Sequence, residues 1–310
     1  MAQSASALRI GTRGSPLALA QAREVRARIA DIQGIDVEAI EIEVIRTSGD
    51  AVQDRALTDI GGKGLFTKEI DSALIDGLID LAVHSAKDLP TVLPREIAIV
   101  GYLPREDARD AFISRHAASL EELAHGAVVG TASLRRQALV RRLRPDLRVT
   151  LFRGNVETRL RKLDEGVVDA TLLAVAGLNR LGHADQVTAL LSLETFPPAV
   201  GQGAIAVCAR LDDDEVRDAL EPIVDAATGQ ALAAERAFLA VLDGSCRTPI
   251  AGHAAVRDNE LWFHGMILRP DGSEMLDTMR VGDVTKGGSL GSDAGMELKR
   301  RAPPDFFQHE

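Results

Sequence analysis

The stretch Val168-Asp169-Ala170-Thr171-Leu172-Leu173-Ala174-Val175-Ala176 decides the fold class. It is apolar on both of its alternating faces, so it reads as a strand covered on both sides. Just upstream, Asn155 can cap a helix over residues 156–165, which Gly166 ends. Before that come a strand at 148–152, a helix at 134–143 that Ser133 caps and Pro145 stops, and a strand at 127–131. Buried strands separated by helices predict a parallel or mixed sheet with helices on both faces.

The first hundred residues repeat this style. Residues 7–12 read as a short strand. Ser15-Pro16 starts a helix that carries Leu17, Ala20, Val25 and Ile29 at helical spacing. Residues 37–46 alternate apolar and polar and read as a strand. Residues 47–62 are polar and glycine-containing and read as a mobile loop. A helix over 67–76 is stopped by Gly77, and 78–84 is a buried strand. Residues 204–209 form a strand, and 211–215 an acidic solvated loop. From Glu221 the pattern changes. A helix over 229–242 is followed by strand-like segments at 251–256 and 260–268 and a turn at Pro270-Asp271-Gly272, the pattern of a smaller α+β domain. Residues 301–310 read as a frayed tail.

Composition narrows the function classes. The chain has 310 residues, 45% hydrophobic and 26% charged, which is ordinary globular composition with room for two or three domains. No apolar run is long enough to span a bilayer, and the first residues lack the basic start and apolar core of a signal peptide. Two cysteines cannot build a disulfide framework, which points to a reducing cytosol. A net charge of −10 and 3% aromatic residues argue against a nucleic-acid surface. The seven histidines show no metal-ligand spacing.

The 30 arginines are placed more tellingly than counted. Four strand ends carry a turn with a basic residue and then a helix start. They are Thr12-Arg13-Gly14-Ser15, His84-Ser85-Ala86-Lys87-Asp88, Thr131-Ala132-Ser133-Leu134-Arg135-Arg136, and Phe152-Arg153-Gly154-Asn155 with Arg159 one turn on. Helix N-termini offer free N–H groups, and guanidinium forks match carboxylate or phosphate. Several such sites on one rim imply a ligand with several negative groups. Arg141, Arg142 and Arg144 read as a solvated helix face. Asp88 is the one acid among these bases. It is either a counter-ion of Lys87, a turn residue, or a group that pairs with a developing cation or exchanges a proton.

Asp243-Gly244-Ser245-Cys246-Arg247-Thr248-Pro249 is the other singular run. Cys246 sits in a Gly-Ser turn with an arginine after it, a setting that exposes a sulfur and favours its thiolate. A free cysteine is more often a small buried hydrophobe, and Cys208, inside an apolar strand, reads as packing only. Gly61-Gly62-Lys63-Gly64 lacks the spacing of a phosphate loop.

Taken in order, several runs resemble the porphobilinogen deaminase family. They are Thr12-Arg13-Gly14-Ser15-Pro16-Leu17-Ala18-Leu19, Gly61-Gly62-Lys63-Gly64-Leu65-Phe66, His84-Ser85-Ala86-Lys87-Asp88-Leu89-Pro90 and Gly130-Thr131-Ala132-Ser133-Leu134-Arg135-Arg136-Gln137. Further on come Arg153-Gly154-Asn155-Val156-Glu157-Thr158-Arg159-Leu160, Pro198-Ala199-Val200-Gly201-Gln202-Gly203-Ala204, and Glu235-Arg236-Ala237-Phe238-Leu239 leading into Gly244-Ser245-Cys246. The match covers residues 8 to about 255; the C-terminal fifty match loosely.

The resemblance implies an α/β fold: two periplasmic-binding-protein-like domains with mixed sheets plus a smaller C-terminal α+β domain. The implied limits are 1–103 with 197–220, then 104–196, then 221–310. It implies a cytoplasmic, monomeric transferase of tetrapyrrole and heme biosynthesis. Its substrate is porphobilinogen, of which four are joined head to tail with loss of ammonia, and hydroxymethylbilane is released by water. Hand-over to uroporphyrinogen-III synthase is implied as well, with no nucleic-acid or membrane partner. The implied cofactor is dipyrromethane, held on Cys246 by a thioether, which makes Cys246 an anchor. Asp88 is implied as the catalytic acid. Lys87, Asp88, Thr131, Ser133, Arg135 and Arg136 are assigned to the cofactor by the same resemblance. Arg13, Ser15, Arg153, Arg159, Arg180 and Gln202 are assigned to the substrate, and Lys63 and Phe66 to the edge of a lid over 47–62. The chain departs from the family where Ala206-Val207-Cys208 replaces the usual Gly-Ile-Glu.

Overall fold

The computed structural model describes residues 8–51, 64–242 and 248–307. The first stretch forms β1 (Arg9–Thr12), α1 (Pro16–Gln33), β2 (Glu41–Val44) and the one-turn α2 (Ser48–Ala51). After it come α3 (Lys68–Ile75), β3 (Leu81–Ser85) and β4 (Ile97–Tyr102). The next part holds β5 (Asp110–Ser114), β6 (Val128–Gly130), α4 (Leu134–Leu143), β7 (Arg148–Thr150), α5 (Val156–Asp164), β8 (Ala170–Ala174), α6 (Val175–Arg180) and β9 (Ala189–Leu190). The chain continues through β10 (Ile205–Arg210), α7 (Asp214–Leu220) and α8 (Ala226–Val241). It finishes with β11 (Ile250–Arg257), β12 (Glu260–Leu268), β13 (Met275–Asp283) and α9 (Gly287–Arg301).

These strands make three sheets. In the first, β2, β1 and β3 run parallel, β10 lies antiparallel to β3, and β4 antiparallel to β10. The second repeats the plan: β7, β6 and β8 are parallel, β5 is antiparallel to β8, and β9 pairs with β5. The third is an antiparallel meander of β11, β12 and β13 packed on α8 and α9. The first two sheets with their helices are called the two lobes below. The chain passes from one lobe to the other after β4 and returns before β10.

Local chemistry explains most helix starts. Ser15 accepts the Ala18 N–H at 3.2 Å with Pro16 in the first helical position, and α1 then buries Ala22, Val25 and Ile29 against the first sheet. Ser133 and Asn155 cap α4 and α5 in the same way. The expected helix over 229–242 begins three residues earlier, where Asp225 accepts the Thr228 N–H.

Several readings are corrected. Residues 168–176 are not one strand: β8 stops at Ala174 and α6 starts at Val175. Both elements are buried, so the apolar run has no period that marks the change. Residues 37–46 hold a short 3-10 turn, capped by Asp36, before a four-residue strand. The acidic 211–215 loop is partly a helix start, with Asp213 accepting the Val216 N–H. Arg144 is no solvated residue, since its guanidinium binds the carbonyls of Leu120, Glu121 and Leu123, and Arg141 reaches Pro270. Residues 302–307 are not frayed, because Phe306 is 1% exposed in the core shared by α8, β12 and α9. The 47–62 loop begins with α2, whose Ser48 and Gly49 N–H groups bind Glu69 and Leu65. The remainder of that loop lies outside the described residues.

One buried carboxylate ties the third unit to both crossings. The Arg105 guanidinium meets Glu235 of α8 at 2.6 and 3.2 Å and also donates to the Gln202 carbonyl. Glu235, fully buried, accepts the N–H groups of Gly201 and Ala254 as well, each at 2.7 Å. An uncompensated charge in such a place costs on the order of 3–5 kcal/mol, so the four bonds persist as a set. The next residue, Arg236, donates to the Pro90 carbonyl, so α8 also grips the segment that follows Asp88.

Candidate active site

β1 and β3 are parallel neighbours, so their C-terminal ends lie side by side. β1 runs into Arg13-Gly14-Ser15 and α1; β3 runs into a 3-10 turn at Ala86–Asp88. An open recess lies there, lined by Arg13, Ser15, Gln21, Phe66, His84, Ser85 and Asp88 among others. The Arg13 guanidinium stands 4.2 Å over the Phe66 ring and 3.7 Å from the Asp88 carboxylate. Both partners of that ion pair keep some exposure, so the contact leaves the carboxylate available to a ligand. Ser85 and the buried Gln21 exchange hydrogen bonds at 2.9 and 3.0 Å, which fixes that wall.

Lys87 points away from this recess toward the crossings. Its ammonium donates to Gln202 Oε1 at 3.4 Å, so Asp88 makes its close ion pair with Arg13 and attracts Lys87 only at longer range. Gln202 is buried and its amide donates to Ala108 and Asp110. Glycines hold it there. Gly201 has φ of 76° and Gly203 of 91°, and a Cβ on Gly203 would strike the Glu106 carbonyl oxygen.

Asp110, at the start of β5, is the organising residue that the sequence did not reveal. Its buried carboxylate accepts from Arg135 at 2.7 Å and from Arg136 at 2.6 Å, at the first turn of α4. Burial alone would raise its pKa; the two guanidiniums outweigh that and hold it well below the usual carboxylate range. Arg135 also donates to Pro197 O and Arg136 to Leu172 O, which fixes both forks. Its only sequence sign is its place at a strand start, at the end of the mixed run Arg105-Glu106-Asp107-Ala108-Arg109-Asp110.

The remaining cations extend this group. Arg159 donates to the Gly154 carbonyl, and its pKa is pushed down to about 10 by burial and by Arg136 and Arg153. Burial, and then Arg136, push the Lys87 pKa down to about 8 against the opposing pull of Asp88 and Asp110. Buried Arg135 Nε has no hydrogen-bond partner. Cations depressed by burial and then by one another, with a donor left over, fit a polycarboxylate ligand: added negative charge would raise their pKa values and occupy the donor.

Thr131 and Ser133 are committed locally. The Thr131 hydroxyl accepts the Ser133 N–H, and the Ser133 hydroxyl caps Arg136. Arg180 lies elsewhere, bridging Glu24 of α1 and the Gly203 carbonyl. Cys208 is 1% exposed in β10, its thiol pushed up to about 12 by burial and by Asp71, as its packing role requires. Cys246 and Lys63 lie outside the described residues.

The Lys87 shift sets a pH dependence. In the chain with no anion bound, the charged ammonium is disfavoured by its surroundings below pH 8. The unfolded chain keeps its proton up to about 10.4. Between those values the unfolded state binds more protons, so stability rises with pH. A carboxylate ligand, by contrast, binds more weakly as pH climbs through about 8 and the ammonium is lost. Thermal melts of anion-free wild type and Lys87→Met at pH 7.5 and 9.5 check this. The deficit of the wild type relative to the variant shrinks at the higher pH, and an unchanged difference contradicts the assignment.

Comparison with known proteins bears directly on this site. Residues 8–218 match the family model "Porphobilinogen deaminase, dipyromethane cofactor binding domain", and residues 230–300 match "Porphobilinogen deaminase, C-terminal domain". Porphobilinogen deaminases of Nitrobacter winogradskyi and Nitrobacter hamburgensis are each 59% identical over 298 residues, covering 96% of this chain and 94% of theirs. Among solved structures, a periplasmic substrate-binding protein of an ABC transporter from Coxiella burnetii covers 71% of this chain and 93% of its own at a TM-score of 0.44 and 15% identity. A putative methionine-binding lipoprotein from Bacillus subtilis covers 71% and 91% at 0.42 and 11%. The motifs that line the recess and the Asp110 cluster fall within the first matched region, and the matches together run through all three sheets. The chain belongs to the porphobilinogen deaminase family.

Proposed function

We propose that the chain is a transferase that joins four porphobilinogen molecules head to tail, with loss of ammonia at each join, and releases hydroxymethylbilane after hydrolysis. The family membership supports this reading, and the observation that carries it is Asp88, a half-exposed carboxylate held 3.7 Å from Arg13 in the recess where β1 and β3 end. The cofactor is dipyrromethane, named in the family description that matches residues 8–218. When bound, it supplies the free pyrrole α-carbon that acts as nucleophile. Cys246 is its proposed anchor; Lys87, Ser133, Arg135 and Arg136 are its proposed carboxylate holders, with Thr131 behind them.

Porphobilinogen carries two carboxylates, an aminomethyl group and a pyrrole N–H. Arg13, Ser15, Arg153 and Arg159 hold its carboxylates in this reading. Asp88 accepts the pyrrole N–H and faces the positive charge that develops as ammonia leaves. The same carboxylate takes up and returns the proton displaced at the joining carbon. Phe66 stacks on Arg13 and keeps water from one side of the recess. Gln202 and Arg180 serve through position, by fixing Lys87 and the second crossing.

We place the domain limits at 1–103 with 197–220, then 104–196, then 221–310, a division that the three separate sheets support. No described helix is long and apolar enough to cross a membrane. We further take the chain to act as a cytoplasmic monomer that hands its product to uroporphyrinogen-III synthase. The test of the reaction is direct: purified protein given porphobilinogen releases one ammonia per substrate consumed and accumulates a linear tetrapyrrole. Binding of porphobilinogen without ammonia release would mean an anion-binding module and would sink the reading.

A further inference from the structure

His84 stands at the end of β3, two residues from Ala86 and the turn that carries Asp88, and it lines the recess with Arg13 and Asp88. It is 5% exposed, and its buried Nε2 has no hydrogen-bond partner. Leaving such an atom unpaired is unfavourable, whereas an apolar side chain of similar shape there would carry no such penalty. Every other polar group named in this wall is paired: Gln21 with Ser85, Arg13 with Asp88. An unpaired buried polar atom against a ligand recess is one whose partner arrives with the ligand.

The kind of partner follows from the surroundings. Burial, and then the Arg13 charge, push the imidazole pKa down to about 4, so the ring is neutral at working pH. A neutral imidazole carries one N–H donor and one acceptor. Beside the Arg13 guanidinium, the ligand group expected is an anion, which calls for the donor. We propose that His84 is a substrate-binding, specificity-determining residue: its Nε2–H donates to the porphobilinogen carboxylate that Arg13 also holds. This rests on the reading that the recess takes porphobilinogen. The neutral donor adds direction without a further charge, so a carboxylate set at the wrong angle keeps Arg13 and loses His84. That is a means of telling apart the two unequal acid arms of one pyrrole.

The test uses holoenzyme, with cofactor loading verified by intact mass. His84→Leu removes the orphaned donor, so it melts at or above the wild-type temperature. Its KM for porphobilinogen rises ~10-fold, with a smaller change in kcat, as the loss of one ground-state hydrogen bond requires. His84→Asn retains an N–H and recovers part of the KM. A folded His84→Leu holoenzyme with wild-type KM overturns the proposal. A second readout needs no variant. In NMR of wild-type holoenzyme labelled at histidine, the His84 Nε2–H signal moves when a dicarboxylate pyrrole lacking the aminomethyl group fills the recess. A signal that stays in place while that ligand binds also overturns it. Wild-type holoenzyme that consumes no porphobilinogen counts instead against the functional reading.

Discussion

Cys246→Ser is expected to give a folded protein of bare polypeptide mass that turns over no porphobilinogen, while the wild type runs heavier by two pyrrole units. A thioether forms from a thiolate, and a serine hydroxyl stays protonated at any pH the protein survives. Cys208 cannot take over. It is sealed in β10, and its thiol is pushed up to about 12, so no thiolate is present there at working pH. The fold tolerates the change because the elements flanking residues 243–247 are secured independently. α8 is held by Glu235 and Arg236, and β11 pairs with β12 along its whole length. Intact mass, a thermal melt and an ammonia assay on one preparation check the three expectations. Normal turnover in the serine variant refutes the anchor assignment.

Asp88→Asn is expected to keep the cofactor and lower kcat by at least ~10²-fold, the scale seen when a positioned proton carrier or charge stabiliser is removed. The amide has the same size and can still accept a pyrrole N–H. What it lacks is the negative charge facing the cation formed as ammonia departs. The Arg13 contact at 3.7 Å is loose enough that its loss does little to the fold, so the effect falls on the reaction. Asp88→Glu restores the charge at a displaced position and recovers part of the rate. A fall in kcat below ~3-fold in Asp88→Asn demotes the residue to a counter-ion, since that is within what a surface ion pair supplies.

What the sequence disclosed was local chemistry. Ser15, Ser133 and Asn155 announce helix starts because a cap needs only a side chain and an N–H three residues on, and each makes that bond. Asp88 and the arginines were legible because polar residues at strand ends stand out against apolar runs. Asp110 was not, because its meaning depends on Arg135 and Arg136, 25 and 26 residues away. His84 could be quoted within a motif, but only burial shows that Nε2 is unpaired. Nor did α9 announce itself. It contains Gly287, Gly288, Gly291 and Gly295, poor helix formers taken singly. Packing against α8 overrides that propensity: a Cβ on Gly291 would strike the Ala234 carbonyl oxygen. The apolar 168–176 run failed from the opposite cause, since two buried elements in series leave no periodicity to read.

The placement of β10 between β3 and β4 governs how the chain assembles. The second lobe is continuous from β5 to β9, so a nascent chain can close it as soon as that stretch has left the ribosome. The first lobe cannot close by then. Its β3 and β4 share no ladder with each other and await a strand synthesised after the entire second sheet. Such long-range pairing is slow, because loop closure precedes any return from contact. Until β10 arrives, β3 shows an open edge beside the acid it positions, the kind of edge that invites wrong pairing. The lobe that carries Asp88 thus closes later than the lobe inserted within it, and a chain that stops short of β10 would leave that edge bare.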